Sequence, residues 1–279
     1  MKIQKPLISH EIPVALFDQH FLINDYPYLL THLLHKESKH YDGSYAVFYK
    51  EIVREYEYSI LDNSAFELGD SVGADMLYSV GENYKPTHLI LPDKLHDMQE
   101  TLYRCDSYIK EFGDRSTPKF IGVLQGNTMD ELYQLYEHYL NEPLIDVVAI
   151  PYDIFKGEDK LHRVNVVEDL IIHFYGNAKF KKLHLLGCAT PQEFCYYQSV
   201  NHKFIKSIDT SAPIMYGWEG VKFSNENLVP LSLTKPTKKL AENLHMTLST
   251  REKKVIGDNV RLFRSFAFNI NLINKQTKQ

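Results

Sequence analysis

The sequence is poor in the residues that mark small secreted or fibrous proteins. Its 279 residues include 3 cysteines, 13 glycines and 12 prolines. An odd number of cysteines without a closely spaced pair argues against a disulfide framework and against a zinc site built from paired cysteines. The low glycine and proline content excludes collagen-like and low-complexity chains.

Long apolar runs and metal-binding patterns are also missing. No stretch approaches the ~18 apolar residues of a membrane span, and the first residues lack the hydrophobic segment of a signal peptide. We therefore expect a cytoplasmic chain with no membrane partner. The 13 histidines are scattered and form no His-Glu-x-x-His motif, so no metal site is expected.

Charge is spread unevenly along the chain, although the net charge is only −5. Residues 221–279 hold 11 Lys and Arg against 4 Asp and Glu, whereas residues 1–220 hold 20 against 32. An acidic body with a basic C-terminal segment is typical of polyanion binders. The alternative is a solvated, lysine-rich surface helix.

Short apolar runs rich in β-branched and aromatic residues recur along the chain, each followed by a polar or glycine-containing corner. They are residues 13–17, 58–66, 87–93, 119–126, 146–153, 182–191 and 206–213. Apolar residues at helical spacing fill most of the gaps, notably at 98–112, 129–140 and 166–176. Such alternation predicts parallel strands covered by helices. The repeat length, and the lack of a glycine-rich phosphate loop, favour a (β/α)8 barrel over a doubly wound sheet.

The organisation predicted from this pattern is a barrel over residues 1–220 and a basic segment over 221–279 that completes the barrel and contacts nucleic acid. Within the second part, residues 236–256 predict a lysine-rich helix. Residues 45–61 alternate like a hairpin that leads into the second barrel strand, and a helical stretch is expected around 25–37.

Polar residues follow the predicted strands, where a barrel gathers side chains at one mouth. They are Asp62, Asp93, Gln125, Tyr152, Asp153, Gly187 and Asp209. Converging carboxylates are unfavourable unless each has a partner or a task. Two carboxylates suit glycosyl transfer through a covalent intermediate, and a further Asp with a Gln suits a purine edge. The alternative is that some of these residues cap the following helices.

This series resembles the tRNA-guanine transglycosylase superfamily, a modified (β/α)8 barrel. The family's Asp-Ser-Gly-Gly-Phe/Tyr-Gln motif is similar to residues 62–67, and its Val-Gln-Gly segment to 124–126. Its His-x-Met-Gly-x-Gly-x-Pro segment resembles residues 184–191, and the Phe-Asp-Cys/Ser segment of its nucleophile resembles 208–211. The resemblance covers residues 55–215, approximately.

The resemblance implies a role for each matched residue. Asp209 would be the nucleophile and Asp62 the general acid/base. Asp93 and Gln125 would read the base, which would lie between Phe66 and Leu186. The substrate-binding residues that the resemblance implies are Phe66, Asp93, Gln125, Gly126, Tyr152, Leu186 and Gly187.

The chain also departs from the family pattern. The glycine pair of the first motif is replaced by Ser64-Ala65, and the loop that donates backbone N–H groups to the base reads Pro151-Tyr152. Proline has no N–H to give. No cysteine follows Cys195, so the zinc-binding C-terminal subdomain of the tRNA enzymes is expected to be absent.

The zinc-less form resembles the DNA-guanine transglycosylase branch of bacteriophages and bacterial DNA-modification clusters. This resemblance implies a pentosyltransferase that needs no cofactor and exchanges guanine in DNA for a 7-deazaguanine base similar to preQ0. The exchange would protect the DNA from restriction. The enzyme would act in the cytoplasm, which is the host's cytoplasm if a phage encodes it. The expected DNA contacts are Lys235, Lys238, Lys239, Arg251, Lys253, Lys254, Arg261 and Arg264. Three alternatives stay open: the same reaction on tRNA, a non-catalytic partner barrel, and a barrel glycosidase. The oligomeric state cannot be predicted from the sequence.

Overall fold

The computed structural model describes residues 5–155, 162–174, 176–188, 193, 197, 202–223 and 240–268. Within these ranges eight strands form one sheet in the order β1-β8-β7-β6-β5-β4-β3-β2. The strands are β1 Leu7–His10, β2 Tyr28–Leu30, β3 Ile60–Asp62, β4 His88–Ile90, β5 Lys119–Val123, β6 Ile145–Pro151, β7 Lys182–Leu186 and β8 Ile205–Thr210. Parallel strands in this order, alternating with helices, confirm the predicted (β/α)8 barrel type of fold.

Helices connect most of the strands. They are α1 His20–Ile23, α2 Thr31–Leu34, α3 Gly43–Ile52, α4 Ala65–Leu68, α5 Ala74–Tyr84, α6 Met98–Phe112, α7 Met129–Asn141, α8 His162–Phe174, α9 Ala212–Trp218 and α10 Thr250–Phe268. Short 3-10 helices cover Val14–Gln19, Val53–Glu55, His202–Phe204 and Ala241–Asn243. None of the helices in the described ranges has both the length and the apolar composition of a membrane span.

The predicted hairpin at residues 45–61 is wrong, because most of this segment folds as α3 and a 3-10 turn. The helix begins after Asp42, whose side chain accepts a hydrogen bond from Tyr45 N at 2.9 Å. Tyr45, Tyr49 and Ile52 are buried at helical spacing. Aromatic residues also alternate along this segment. The capping hydrogen bond of Asp42 and the buried stripe at helical spacing favour the helix.

The chain divides into two compact units, Tyr26–His184 and a second unit that combines Met1–Asp25 with Leu185–Gln279. The middle unit contains β2 to β6 and the helices that follow them. Its core is closely packed around β5, where Gly122 faces Tyr139 of α7. A Cβ at Gly122 would lie 2.7 Å from the Tyr139 ring, so only glycine admits this ring.

The terminal unit pairs β1 with β8, with Ser9 opposite Asp209. Its helices α9 and α10 pack closely over a buried apolar cluster that includes Leu16, Ile214 and Val260. The closest approach is at Gly217 of α9, where the backbone of α10 comes near.

We expect Gly217→Ala to lower the free energy of unfolding by about 1–3 kcal/mol, because a side chain would overpack the contact. Its Cβ would lie 2.5 Å from Ile256 Cγ1 and 2.8 Å from Ile256 Cα. The matched control is Gly257→Ala in α10, where the nearest atom would be 4.0 Å away; this change should stabilise the helix by about 0.5–1 kcal/mol. Denaturant titrations of both variants measure the difference, and equal midpoints would contradict the close contact.

Candidate functional site

The end of strand β3 carries a tight turn around Asp62. The Asp62 side chain is buried, and its Oδ2 accepts a hydrogen bond from Ser64 N at 3.0 Å. Ser64 has a left-handed backbone with φ of 62°, a conformation that favours glycine. Its position is the one at which the resembled motif has its first glycine.

Asp93, Gln125 and Asn63 form a buried polar cluster at the ends of β3, β4 and β5. Gln125 Nε2 donates to Asp93 Oδ2 at 2.6 Å. Asn63 Nδ2 donates to Asp93 Oδ1 at 2.8 Å and to the Leu91 carbonyl at 2.7 Å. Asp93 is 2% and Gln125 1% exposed, so the structure brings two of the predicted base-reading residues into direct contact. Asn63 was not among the predicted site residues.

Burial and hydrogen bonding act in opposite directions on the ionisation of Asp93 in this cluster. Burial raises the pKa of the Asp93 carboxyl, because desolvation penalises the charged form, and the hydrogen bonds from Asn63 and Gln125 lower it. A carboxylate oxygen accepts two hydrogen bonds. The Asp93 carboxylate therefore keeps acceptor capacity beyond the bonds from Asn63, Gln125 and its own N–H, and the Gln125 amide keeps one N–H donor.

The loop after β4 is tied to the loop after β5. His96 N donates to Gln125 Oε1 at 2.9 Å, and Asn127 Nδ2 donates to the His96 carbonyl at 2.8 Å. Between Gln125 and Asn127, Gly126 has little room for a side chain, since its Cβ would lie 3.1 Å from Glu131 Cβ. The predicted substrate-binding role of Gly126 stays a prediction. Neither His96 nor Asn127 was expected from the sequence, which carries no motif at those positions.

An arginine links this cluster to the surface. Arg104 of α6 donates to the Asp93 carbonyl at 3.1 Å and pairs with Asp70 and Glu100. The Arg104 hydrogen bond is the main reason that the pKa of Asp70 falls to about 2, with a contribution from Lys94. These ion pairs hold the β4 loop against α6.

A buried thiol packs beneath the same strand end. Cys105 Sγ lies 3.5 Å from the Pro92 carbonyl and 3.5 Å from Tyr139 Oη. Burial raises the pKa of the Cys105 thiol to about 12. The Tyr139 hydroxyl in turn donates to the Val123 carbonyl at 3.0 Å, so one contact chain spans β4, β5 and their helices.

Two further predicted residues of this unit lie at its periphery. Phe66, on the short helix after Asp62, is 64% exposed, and a ring in this state is available for stacking. Tyr152 follows β6 and lies under the guanidinium of Arg163, 5.4 Å from the ring centroid. Arg163 is 2% exposed and donates to the Ile150 carbonyl at 3.2 Å.

In the terminal unit, Asp209 lies at the end of β8 and is 3% exposed. Its Oδ1 accepts from Gly187 N at 2.9 Å, and its carbonyl accepts from Cys188 N at 3.0 Å. Thr210 Oγ1 donates to the Cys188 carbonyl. Gly187 has φ of 63°, which turns its N–H toward the carboxylate. The structure thus joins the predicted Asp209 and Gly187, and the neighbouring Leu186 is half-buried.

A second buried carboxyl lies close to this turn. Glu193 Oε1 accepts from Tyr197 Oη at 2.6 Å, and Glu193 Oε2 accepts from Cys188 Sγ at 3.2 Å. The sequence gives no sign of this arrangement, because the three residues belong to no repeated or spaced pattern. Within the described residues, no group of three or more His, Cys, Asp or Glu side chains has a metal-binding arrangement.

The predicted DNA-contact residues have different surroundings. Arg251 and Lys254 are exposed on α10, and Lys253 is half-buried. Arg261 pairs with Asp258. Arg264 donates to Asp25 Oδ1 at 2.6 Å and to the Ile23 carbonyl at 3.0 Å. Its guanidinium therefore makes contacts within the unit. The remaining three, Lys235, Lys238 and Lys239, lie outside the described residues.

Comparison with known proteins assigns no family to this chain. No protein-family model and no curated protein matches the chain. Among solved structures, a dihydrodipicolinate synthase from Agrobacterium tumefaciens strain C58 is similar, with a TM-score of 0.48 and 8% identity over 93% of this chain and 98% of that chain. A likeness at this level bears on neither substrate nor chemistry.

Proposed function

We propose that the chain is a guanine transglycosylase that exchanges guanine in DNA for a 7-deazaguanine base. The observation that carries the proposal is the contact between Asp93 and Gln125, the two residues to which the resemblance assigns base reading. The left-handed Ser64, at a glycine position of the resembled motif, gives independent support from the backbone.

The hydrogen-bonding pattern of this pair favours a guanine edge. A ligand facing Asp93 must present N–H donors, and a ligand group facing the Gln125 amide nitrogen must be an acceptor. Guanine and 7-deazaguanines carry two adjacent N–H donors beside a carbonyl oxygen on one edge. Among the four DNA bases, adenine, cytosine and thymine lack this order. The pair is therefore complementary to guanine and to its 7-deaza analogues.

The reaction follows from the roles that the resemblance implies. The Asp209 carboxylate attacks C1′ of the deoxyguanosine as the bond from C1′ to N9 breaks, and the departing guanine takes a proton from Asp62. The incoming base gives its N9 proton to the Asp62 carboxylate. Its N9 then attacks C1′ and displaces Asp209, so atoms and charge balance without an oxidant or a metal. The nucleotide must leave the base stack to react.

DNA rather than tRNA is the proposed polymer, since the resemblance to the DNA branch rests on the missing cysteines. The decisive experiment incubates the protein with radiolabelled guanine and either duplex DNA, single-stranded DNA or unmodified tRNA. Label in DNA supports the proposal, and label in tRNA keeps the chemistry but changes the polymer. Label in none of them, with guanine bound, would favour a non-catalytic barrel.

We expect Asp93→Ala to weaken guanine binding about 100-fold, because two charge-assisted hydrogen bonds are lost. Binding of the polymer should be unchanged. Calorimetry with guanine and fluorescence anisotropy with labelled DNA measure the two affinities, and circular dichroism checks the fold. The matched control is Asp106→Ala on the exposed face of α6. Loss of DNA affinity alone would contradict the assignment of Asp93 to base reading.

The basic C-terminal segment is the proposed backbone contact. Neutralising Lys238, Lys239, Lys253 and Lys254 together to Gln should weaken DNA binding and flatten its dependence on salt. Each lost phosphate contact lowers the slope of log K against log salt by about 0.9. An unchanged slope would show that these lysines are solvated and do not contact DNA.

A further inference from the structure

His96 has a backbone conformation that its residue type disfavours. Its φ is 59°, in the left-handed region where side chains other than glycine are strained. Two other non-glycine residues of the described ranges share this property, Ser64 and Lys85. Lys85 ends helix α5, where a left-handed residue is common, whereas His96 lies in the turn that leads from Asp93 to α6.

Side chains from the next loop hold both backbone groups of His96. Its N–H donates to Gln125 Oε1 at 2.9 Å, and its carbonyl accepts from Asn127 Nδ2 at 2.8 Å. Nε2 of the His96 ring lies 4.0 Å from Asp153 Oδ2. The conformation is thus fixed by residues that follow two other strands.

This clamp and the Asp93 carboxylate together set the orientation of the Gln125 amide. A backbone N–H can only donate, so the amide oxygen of Gln125 must face His96. The amide nitrogen must then face Asp93, which it contacts at 2.6 Å. Without the His96 N–H, only the contact with Asp93 Oδ2 would oppose a half turn about the last side-chain bond, which would bring the amide oxygen to the ligand-facing position.

We infer that His96 is a positioning residue for base selection. Its left-handed turn orients Gln125 so that an N–H, and not an oxygen, meets the ligand group beside the two donors that Asp93 reads. The selection of a carbonyl over an amino group at that position therefore depends on the backbone of His96. The inference deepens the proposed function and rests on it for the identity of the ligand.

The first test needs no ligand. Protein labelled with 15N-glutamine is compared with His96→Gly, His96→Val and the control Lys85→Val, and Gln125→Leu identifies the Gln125 amide signals. Glycine accepts the left-handed turn, so His96→Gly should leave the Gln125 signals and their slow exchange unchanged. A β-branched residue resists it, so His96→Val should shift these signals and speed exchange, whereas Lys85→Val should not.

Asn127→Ala gives a second route if His96→Val does not fold, since it removes only the bond to the His96 carbonyl. It should shift the same signals in the same direction. Gln125 signals that stay unchanged in both His96→Val and Asn127→Ala would overturn the inference. A shift in His96→Gly as large as in His96→Val would also overturn it, because the ring and not the turn would then position Gln125.

The second test measures selection with guanine and 2,6-diaminopurine, which carries an amino group in place of the guanine carbonyl and an acceptor in place of the N1–H donor. His96→Val should reduce the preference for guanine about tenfold, the equivalent of one hydrogen bond, while His96→Gly and Lys85→Val keep it. An equal loss of both affinities would mean a merely structural role. If the wild-type protein binds neither base, the proposed function fails, and the amide signals still decide the positioning of Gln125.

Discussion

Asp209→Asn is expected to abolish base exchange, with a loss of at least about 10⁴-fold in rate, as for other enzymes without their nucleophile. An amide is too weak a nucleophile to attack C1′. The fold should be retained, because the Asn oxygen can still accept the hydrogen bond that Gly187 N gives to Asp209 Oδ1 at 2.9 Å. The covalent adduct between protein and DNA should disappear with the activity.

Radiolabel exchange and denaturing gels of the trapped adduct measure the two losses. Asp258→Asn is the matched control, because Asp258 pairs on α10 with Lys222 and Arg261. Full exchange activity in Asp209→Asn would remove the proposed nucleophile. In that case Glu193, the other buried carboxyl among the described residues of this unit, would be the next residue to replace.

The second large effect is a loss of stability in acid. Burial lowers the pKa of His10 to about 3, and that of His20 and His32 to about 4, from an ordinary value of 6.5. Above pH 6.5 these histidines are neutral in both the folded and the unfolded chain. As the pH falls below 6.5, these histidines bind protons in the unfolded chain but not in the folded chain, so the free energy of unfolding decreases.

His10 makes the largest contribution to this loss. It is completely buried, it packs edge-on against Phe263 at 5.7 Å, and neither ring nitrogen has a hydrogen-bond partner among the described residues. Its pKa shift corresponds to about 5 kcal/mol between pH 6.5 and pH 3. The nearby Arg264 adds to the effect of burial.

Denaturant titrations from pH 7.5 to pH 4 measure this dependence. His10→Leu removes one titrating group and should flatten the profile, whatever its effect on stability at pH 7.5. The control is His245→Leu, which removes a histidine that is exposed on the surface. A wild-type profile that is flat between pH 6.5 and pH 4 would contradict the neutral, buried state of these histidines.

The elements that the sequence predicts well are those with a long periodic pattern. Residues 98–112 were predicted as a helix and form α6 with the same bounds, since five buried positions repeat on one face. Strands β3 to β8 likewise coincide with predicted apolar runs, although β6 and β8 begin one residue earlier. The pattern misses β1, and the helical stretch predicted around residues 25–37 is wrong at β2. Residues 13–17, predicted as a strand, fold as part of the 3-10 helix Val14–Gln19.

The candidate site shows the same limit at the level of side chains. Asp93 and Gln125 follow strands and are recognisable by position, so their contact is a consequence of parallel strand ends. Asn63, His96 and Asn127 act through single hydrogen bonds whose geometry depends on loop conformation. A left-handed serine or histidine leaves no mark in a sequence, whereas a glycine at the same place would have suggested a turn.

The rate at which the Cys105 thiol is alkylated reports how often the structure around it opens. The thiol is fully buried between α6 and the strand end that carries Asp93, and its high pKa keeps it protonated. An alkylating reagent can therefore reach it only during the moments when α6 lifts away. The rate of alkylation therefore reports how often α6 moves away from the Asp93 cluster. A base bound by Asp93 and Gln125 would slow the alkylation without contacting the sulfur.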